Sequence, residues 1–325
     1  MTKTMLGIDI GTSSVRIADV KGSQIMKYLE VPLPDNAVKG GRVVAFNALA
    51  DVIRTARKEN RIHTRRAALS LSAANNIVIR RITMPKMTEA QLMINMPYEL
   101  HDFLNSDIKD YFFDYSLVSM GEKDMTLIAC AIGRRTVENF RAMAKLAGIQ
   151  IEKIVPDVIA LEAVLPAPDA SAEVPGDFVI LDVGHGGTRM YFYSRHAFEI
   201  TRNIDAGAGQ IADIIAKNRG MDKHAAWTRL SAADPDVLGD PEVDDEIGSF
   251  VAQVMRSINF YGYNNPGNTI DRIYYMGSGL PPKCYLHRLE AATNMKCEPV
   301  ADLLPDGIFA EGINDGPQVY GCIVE

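Results

Sequence analysis

The chain has 325 residues, 47% of them hydrophobic, with a formal net charge of −7. That length fits two domains of ordinary size better than one core, and the composition excludes a disordered chain. The acidic balance argues against a nucleic-acid binder, whose affinity rests on neutralising phosphates; the basic knots at 61–66, 80–81 and 134–135 are scattered and read as solvated faces.

Four cysteines (Cys130, Cys284, Cys297, Cys322) show neither close pairing nor metal-ligand spacing, which predicts reduced, mostly buried thiols. A strand starts within about five residues, with no signal-peptide segment ahead of it. No apolar run approaches the ~18 residues of a membrane helix, so the expected location is the cytoplasm.

The opening stretch is Gly7-Ile-Asp-Ile-Gly-Thr-Ser-Ser-Val. An apolar strand ends in Asp9, turns through Gly11, Thr12, Ser13 and Ser14, and leaves as a second strand carrying Arg16. Unhindered N–H groups and three hydroxyls suit phosphate oxygens. Asp9 offers a hard oxygen of the kind a phosphate-bound Mg²⁺ prefers. Taken alone, a plain β-turn explains the stretch at least as well.

A third strand follows over 24–31, an amphipathic helix over 46–58, and short strands over 67–72 and 77–82. Thr88 is a good N-cap for a helix over 88–104, with a kink or early break at Pro97. Strands over 111–118 and 125–132, a helix over 136–147 ended by Gly148, and a strand over 149–154 complete what reads as a small α+β insert at ~84–155. A helix over 157–165 precedes the best linker candidate, 166–176.

The second half then repeats the first. Phe178-Val-Ile-Leu-Asp-Val-Gly184 runs into His185-Gly186-Gly187-Thr188 and returns as a strand over 189–194, with a third over 198–204. Two Asp-x-Gly turns, Asp9/Gly11 and Asp182/Gly184, in the same strand order imply an internal duplication. Gly207-Ala-Gly209 resembles a dinucleotide fingerprint, but a helix over 210–218 leads to a second helix around His224, Trp227 and Leu230. Without a following strand the Rossmann reading fails, and the glycines instead let a ligand approach the helix start. An acidic loop is expected over 234–245, a long helix over 247–261, and a strand over 270–276 ending in Gly277-Ser278-Gly279-Leu280. An edge strand over 294–299 and a Gly-rich tail from Asp306 close the chain.

Three Gly turns at strand ends, two with an Asp, resemble the actin-like ATPase superfamily, whose two phosphate loops and adenosine loop they would be. The nearer resemblance is to the PilM family of type IV pilus assembly. It is carried by the opening stretch, by Ile82-Thr-Met-Pro-Lys-Met-Thr-Glu-Ala-Gln-Leu with Glu99, by the 140–149 segment, and by Asp157 with Ala160-Leu161. Leu181-Asp-Val-Gly184, Thr201-Arg-Asn-Ile and Met276-Gly-Ser-Gly-Leu280 complete it.

This resemblance implies an α/β actin-like fold of two duplicated domains, 1–170 and 171–325, with the insert in the first and a helical subdomain at ~211–265 of the second. It implies ATP with Mg²⁺ between the halves: phosphates on Gly11, Thr12, Ser13, Ser14, Gly184, Gly186 and Gly187 with Arg16 and Thr188, and Mg²⁺ on Asp9 and Asp182 through waters. Gly209, Lys217, Gly277, Ser278, Gly279 and Leu280 would border the adenosine. Arg16 stands where the family usually has Lys, which keeps the charge but not the contact geometry.

Asp157 is the candidate for orienting the attacking water in a weak ATPase; the alternative is a helix N-cap. The implied partner is the N-terminal tail of a PilN-type membrane protein, which would bring the chain to the inner face of the membrane. Leu92, Met96, Leu100 and Phe103 are its candidate contacts, unless they form the core of the insert. Actin relatives polymerise, so self-association joins the expectations. The other readings are a sugar or acetate kinase, a GspL-type domain of type II secretion, and a nucleotide-insensitive scaffold.

Overall fold

The computed structural model describes residues 4–165, 176–195, 197–304 and 316–324. The chain divides into two units, Met1–Val164 with Pro317–Glu325, and Leu165–Gly316.

In the first unit β1 (Thr4–Ile10), β2 (Ser14–Lys21) and β3 (Gln24–Pro32) form an antiparallel meander. The short pair β4 (Val38–Lys39) and β5 (Arg42–Val43) leads to α1 (Phe46–Glu59) and β6 (Arg66–Leu71), which lies parallel to β1. The period-two alternation of the strands decides what faces the helices. Leu6, Ile8 and Ile10, with Val15, Ile17, Leu69 and Leu71, pack in one core with Leu49 and Ile53 of α1. Each such buried side chain contributes about 1.5–3 kcal/mol relative to exposure.

An excursion follows: β7 (Ile77–Pro85), α2 (Glu89–Glu99), β8 (Tyr111–Met120) and β9 (Asp124–Gly133). The strands make a three-stranded antiparallel sheet in the order β7-β9-β8. Thr88 caps α2 in a capping box: its hydroxyl accepts from the Gln91 N–H at 3.4 Å, and the Gln91 side chain accepts from the Thr88 N–H at 3.0 Å. Pro97 lies inside α2, where it offers no N–H to the preceding turn, and the helix stops two residues later in a short turn at His101–Phe103.

The insert is narrower than ~84–155. After it, α3 (Arg134–Ala147) places Phe140, Met143 and Ala147 in the same core as α1, with Phe46 and Phe140 edge-on at 5.2 Å. Next, β10 (Gln150–Pro156) joins the main sheet parallel to β6, and α4 (Asp157–Glu162) follows. The amphipathic stripe of α3 thus belongs to the main core; the excursion has a core of its own from Met84 to Ala131, while its ends, Ile77, Ile79, Cys130 and Ile132, pack on the main core. The main sheet has the order β10-β6-β1-β2-β3.

The second unit repeats this topology. Its meander is β11 (Phe178–Val183), β12 (Thr188–Ser194) and β13 (Ala197–Ile204). Then come α5 (Ala208–Arg219), α6 (Lys223–Ser231), α7 (Pro235–Leu238) and α8 (Pro241–Asn264), followed by β14 (Arg272–Met276), α9 (Leu286–Thr293) and β15 (Lys296–Pro299). Its sheet order is β13-β12-β11-β14-β15, with β14 parallel to β11 and β15 parallel to β14. Phe192 stacks on Tyr261 of α8 at 4.3 Å within the core.

The segment 234–245 is not the expected loop. Asp234 and Asp240 accept from the N–H groups of Asp236 and Glu242, each followed by a Pro at the first helical position, so two helices start here.

The last described element, α10 (Gln318–Gly321), groups with the first unit and packs on β1, β2 and α4. The expected second domain of 171–325 therefore loses its final segment to the first. A Cβ on Gly7 would stand 1.7 Å from the Val319 carbonyl oxygen, so the close approach of α10 to β1 requires glycine there. The expected boundary near 170, residues 166–175 of the expected linker over 166–176, and the tail residues 305–315 lie outside the described residues. Among the described residues, no helix is long and apolar enough to cross a membrane.

Candidate functional site

In the first unit, the Gly11 N–H donates to the Ser14 carbonyl at 2.9 Å and closes the turn between β1 and β2. Asp9 and Arg16 are register partners across the two strands, and Arg16 Nη1 stands 3.1 Å from Asp9 Oδ2. Arg16 Nε also lies 3.7 Å from Glu30 of β3, and the Ser14 hydroxyl donates to Glu30 at 2.6 Å. Thr12 and Ser13 are half-buried at the turn.

Three adjacent parallel strands, β1, β6 and β10, bring polar residues to their carboxyl ends, where open α/β sheets place ligands. They are Asp9, Ser70 and Asp157, all buried. Ser70 is the register partner of Asp9 in β6, and its hydroxyl has no hydrogen-bond partner among the described residues. Sequence reasoning missed it; a lone Ser in an apolar strand gives no signal until its neighbour strand is known. Asp157 is the first residue of α4, not its N-cap, which is Pro156. Its Oδ1 accepts from the Val158 N–H at 2.8 Å.

The second unit repeats the hairpin atom for atom in its main features. The Gly184 N–H donates to the Gly187 carbonyl at 3.0 Å. Asp182 and Arg189 are register partners, with Arg189 Nη2 2.9 Å from Asp182 Oδ2. Both hairpins read Asp-x-Gly-x-x-x-x-Arg, with the Arg seven residues after the Asp. The pairing of Arg189 with Asp182 is a feature that sequence reasoning overlooked, although this interval was there to be counted.

Around this second turn backbone packs on backbone. The N–H groups of Ala208 and Gly209 donate to the carbonyls of Gly184 and His185 at 3.2 and 2.8 Å, and the Gly279 N–H donates to the Val183 carbonyl at 2.8 Å. A Cβ on Gly207 would meet Gly187 N at 2.5 Å, and one on Gly279 would meet the Gly184 carbonyl oxygen at 2.2 Å. Gly277 and Ser278 lie in the same loop as Gly279, and Gly186 is exposed at the turn. Leu280 is buried and lines a small recess with Val183, Ala206, Gly207, Ile211, Glu246 and Phe250. The His185 ring sits edge-on to Trp227 at 4.6 Å.

Five expected contacts, Thr188, Lys217, Leu92, Met96 and Leu100, are corrected. Thr188 is buried and its hydroxyl donates to the Ala206 carbonyl at 2.8 Å, so it ties the turn to the next loop instead of facing a phosphate. Lys217 lies eight residues down α5 from Gly209, about 12 Å at 1.5 Å per residue; it is exposed and stands 3.8 Å from Glu242. Leu92, Met96 and Leu100 are buried in the core of the insert with Tyr111, Met125 and Leu127, so none of them presents a surface to a partner. Phe103 does, at 44% exposure, with the Arg80 guanidinium 4.4 Å over its ring. The apolar residues that α2 shows to solvent are Met93, Ile94 and Tyr98, the last at 70% exposure.

The donor set fits a phosphate-bound Mg²⁺. Among the described residues no group of three or more His, Cys, Asp or Glu forms a cation cage, and Mg²⁺ keeps most of its waters, needing only one or two carboxylates beside phosphate oxygens. A Cβ on Gly11 or Gly184 would stand 3.0 Å from the Ser14 carbonyl oxygen or 2.8 Å from that of Gly187, so both turns are too tight for a side chain there, and glycine turns of this kind suit phosphates.

A family model described as type IV pilus assembly protein PilM matches residues 7–307. The chain belongs to the PilM family. It is an actin-like scaffold protein of type IV pilus assembly, a conclusion that sets the kinase reading aside. A solved structure described as a PilM–PilN type IV pilus biogenesis complex is similar at 19% identity with a TM-score of 0.78, covering 99% of this chain and 97% of that one. The ethanolamine utilization protein EutJ from Carboxydothermus hydrogenoformans is similar at 13% identity and 0.61, covering 100% and 91%. A Bacteroides thetaiotaomicron protein with an actin-like ATPase fold is similar at 9% and 0.51, covering 98% and 96%. These likenesses show the actin-like fold. No curated protein matches the chain.

Proposed function

We propose that this PilM family member is a nucleotide-responsive scaffold that binds ATP with Mg²⁺ and docks the cytoplasmic tail of a PilN-type membrane protein. The observation that carries the nucleotide reading is the repeated hairpin, with the same turn hydrogen bond and the same Asp–Arg pair in each unit. In the turns Gly11–Ser14 and Gly184–Gly187 the N–H groups other than those of Gly11 and Gly184, which close the turns, would take phosphates, and Asp9 and Asp182 would hold Mg²⁺ through its waters. Bound there, Mg²⁺ would neutralise phosphate charge. Gly209 and Gly277–Leu280, beside the recess that Glu246 lines, suit the adenosine end. Asp157, at the carboxyl end of β10, would orient a water.

The partner reading rests on the family and on the printed description of the PilM–PilN complex. On this chain the insert offers Met93, Ile94, Tyr98 and Phe103 as exposed apolar contacts. Docking there would hold the chain, which has no membrane-spanning helix among the described residues, at the inner face of the membrane. Equilibrium dialysis of ATP against the full chain tests the nucleotide half: saturable binding that needs Mg²⁺ is expected. No binding at millimolar Mg²⁺-ATP would leave the hairpins as structure alone.

A further inference from the structure

We propose that the buried Ser70 hydroxyl is a metal-site group: it shares with Asp9 one water of the hydrated Mg²⁺ that accompanies the nucleotide. The inference rests on the nucleotide reading above and gives the metal an uncharged contact in the first unit.

The first step is positional. In the sheet β1 lies between β2 and β6, so Asp9 has Arg16 on one flank and Ser70 on the other. Register partners of neighbouring strands share a face. The residues behind the pair identify that face: Met5, four before Asp9, and Ala68, two before Ser70, pack together with Ala160 and Cys322. Asp9 and Ser70 thus stand side by side at the carboxyl ends of two parallel strands, where open sheets take ligands.

The second step is stability. From Ala67 to Leu71 every residue of β6 is buried. Ser70 is 0% exposed, and its hydroxyl has no hydrogen-bond partner among the described residues. Buried polar groups are paired as a rule, and one left unpaired destabilises the fold; alanine, of nearly the same shape, would not. Ser70 therefore weakens the free chain, as expected of a group kept for a ligand.

The third step is the chemistry of the ligand. Mg²⁺ gives up its waters reluctantly, so it presents polarised O–H donors to the protein. A water that donates both hydrogens places its two acceptors roughly 4.5 Å apart at ordinary hydrogen-bond lengths. Neighbouring strands run about 4.7–4.9 Å apart, which spaces Asp9 and Ser70 for one such water. The Asp9 side chain is 12% exposed and Ser70 is enclosed, so the shell meets the carboxylate first and reaches the hydroxyl through the shared water. Arg16 engages Asp9 through Oδ2 from the far flank, at 3.1 Å. A second carboxylate in place of Ser70 would repel the phosphates, whereas a hydroxyl accepts without adding charge.

Thermal unfolding of the free full chain and isothermal titration with ATP test this in wild type and Ser70→Ala. Without nucleotide or metal, Ser70→Ala should unfold about 2–4 °C higher, because an unpaired buried hydroxyl is gone. In Mg²⁺ it should bind ATP about fivefold more weakly, the loss of one hydrogen bond. With a chelator in place of Mg²⁺ that gap should close. A hydroxyl that serves the fold alone moves stability and binding the same way, so a Tm below wild type in the free variant would overturn the inference. A gap that persists without metal would overturn the metal contact. Wild-type affinity of Ser70→Ala for Mg²⁺-ATP would overturn the shared water and leave the nucleotide reading standing. Failure of wild type itself to bind Mg²⁺-ATP would overturn both.

Discussion

Replacing Gly7 with Ala places a methyl group 1.7 Å from the Val319 carbonyl oxygen and 3.1 Å from Ile323 Cδ1. The nearer obstacle is backbone, so no side-chain rotamer relieves the clash, and α10 must retreat from β1 by about 1.5 Å to reach ordinary contact. A retreat that keeps the packing costs about 1–3 kcal/mol, the usual range for overpacking. Detachment exposes Val319, Tyr320 and Cys322, all buried against the first unit, and at ~1.5–3 kcal/mol for each side chain sets an upper limit of about 9 kcal/mol. For a unit of this size each kcal/mol lowers Tm by about 2–4 °C. Thermal unfolding with hydrogen exchange across 318–324 reads both outcomes. Gly262→Ala in α8 is the control: nothing lies within 4 Å of its Cβ, and the change should stabilise by up to about 1 kcal/mol through helix propensity. Gly7→Ala with wild-type stability and undiminished protection at α10 would refute the packing argument.

Leu92→Ala, in the core of the insert, should cost about 2–5 kcal/mol in denaturant unfolding, whereas the exposed Ile94→Asp should stay within about 0.5 kcal/mol. The Asp177 carboxylate is pushed up by burial but held lower, on balance, by hydrogen bonds from the Thr269 and Arg195 N–H groups, so its pKa lies below the ordinary value. Its contribution is therefore complete above about pH 4 and disappears as pH falls through the lower folded value. Asp177→Asn should accordingly lose about 1–2 kcal/mol at pH 7 and much less near pH 2. Asp157→Asn should slow nucleotide turnover at unchanged ATP affinity; unchanged turnover would remove Asp157 from the chemistry.

The sequence makes the duplicated hairpins legible because local chemistry builds them: apolar strand, Asp, glycine turn, returning strand, twice. Arg189 escaped because the pattern ended at the glycines, although its interval from Asp182 equals that of Arg16 from Asp9. The 234–245 segment was misread on composition, where Asp-Pro at two positions signals helix starts. Leu92, Met96 and Leu100 lie on one helical stripe, which marks the face toward a core; a partner surface has to be sought off that stripe, at Ile94 and Tyr98. Gly7 could not be understood locally, because its contact comes from the far end of the chain. The extent of the insert was equally non-local, since α3 and β10 declare their allegiance only by packing on α1 and pairing with β6.

Titrating a synthetic PilN-type tail peptide into the full chain, with Mg²⁺-ATP and without nucleotide, tests the central claim of a nucleotide-responsive scaffold most directly. Saturable binding whose Kd differs between the two conditions is the predicted result, with Ile94→Asp weakening it and leaving stability intact. Failure of the tail to bind, or one Kd in both conditions, would contradict the account.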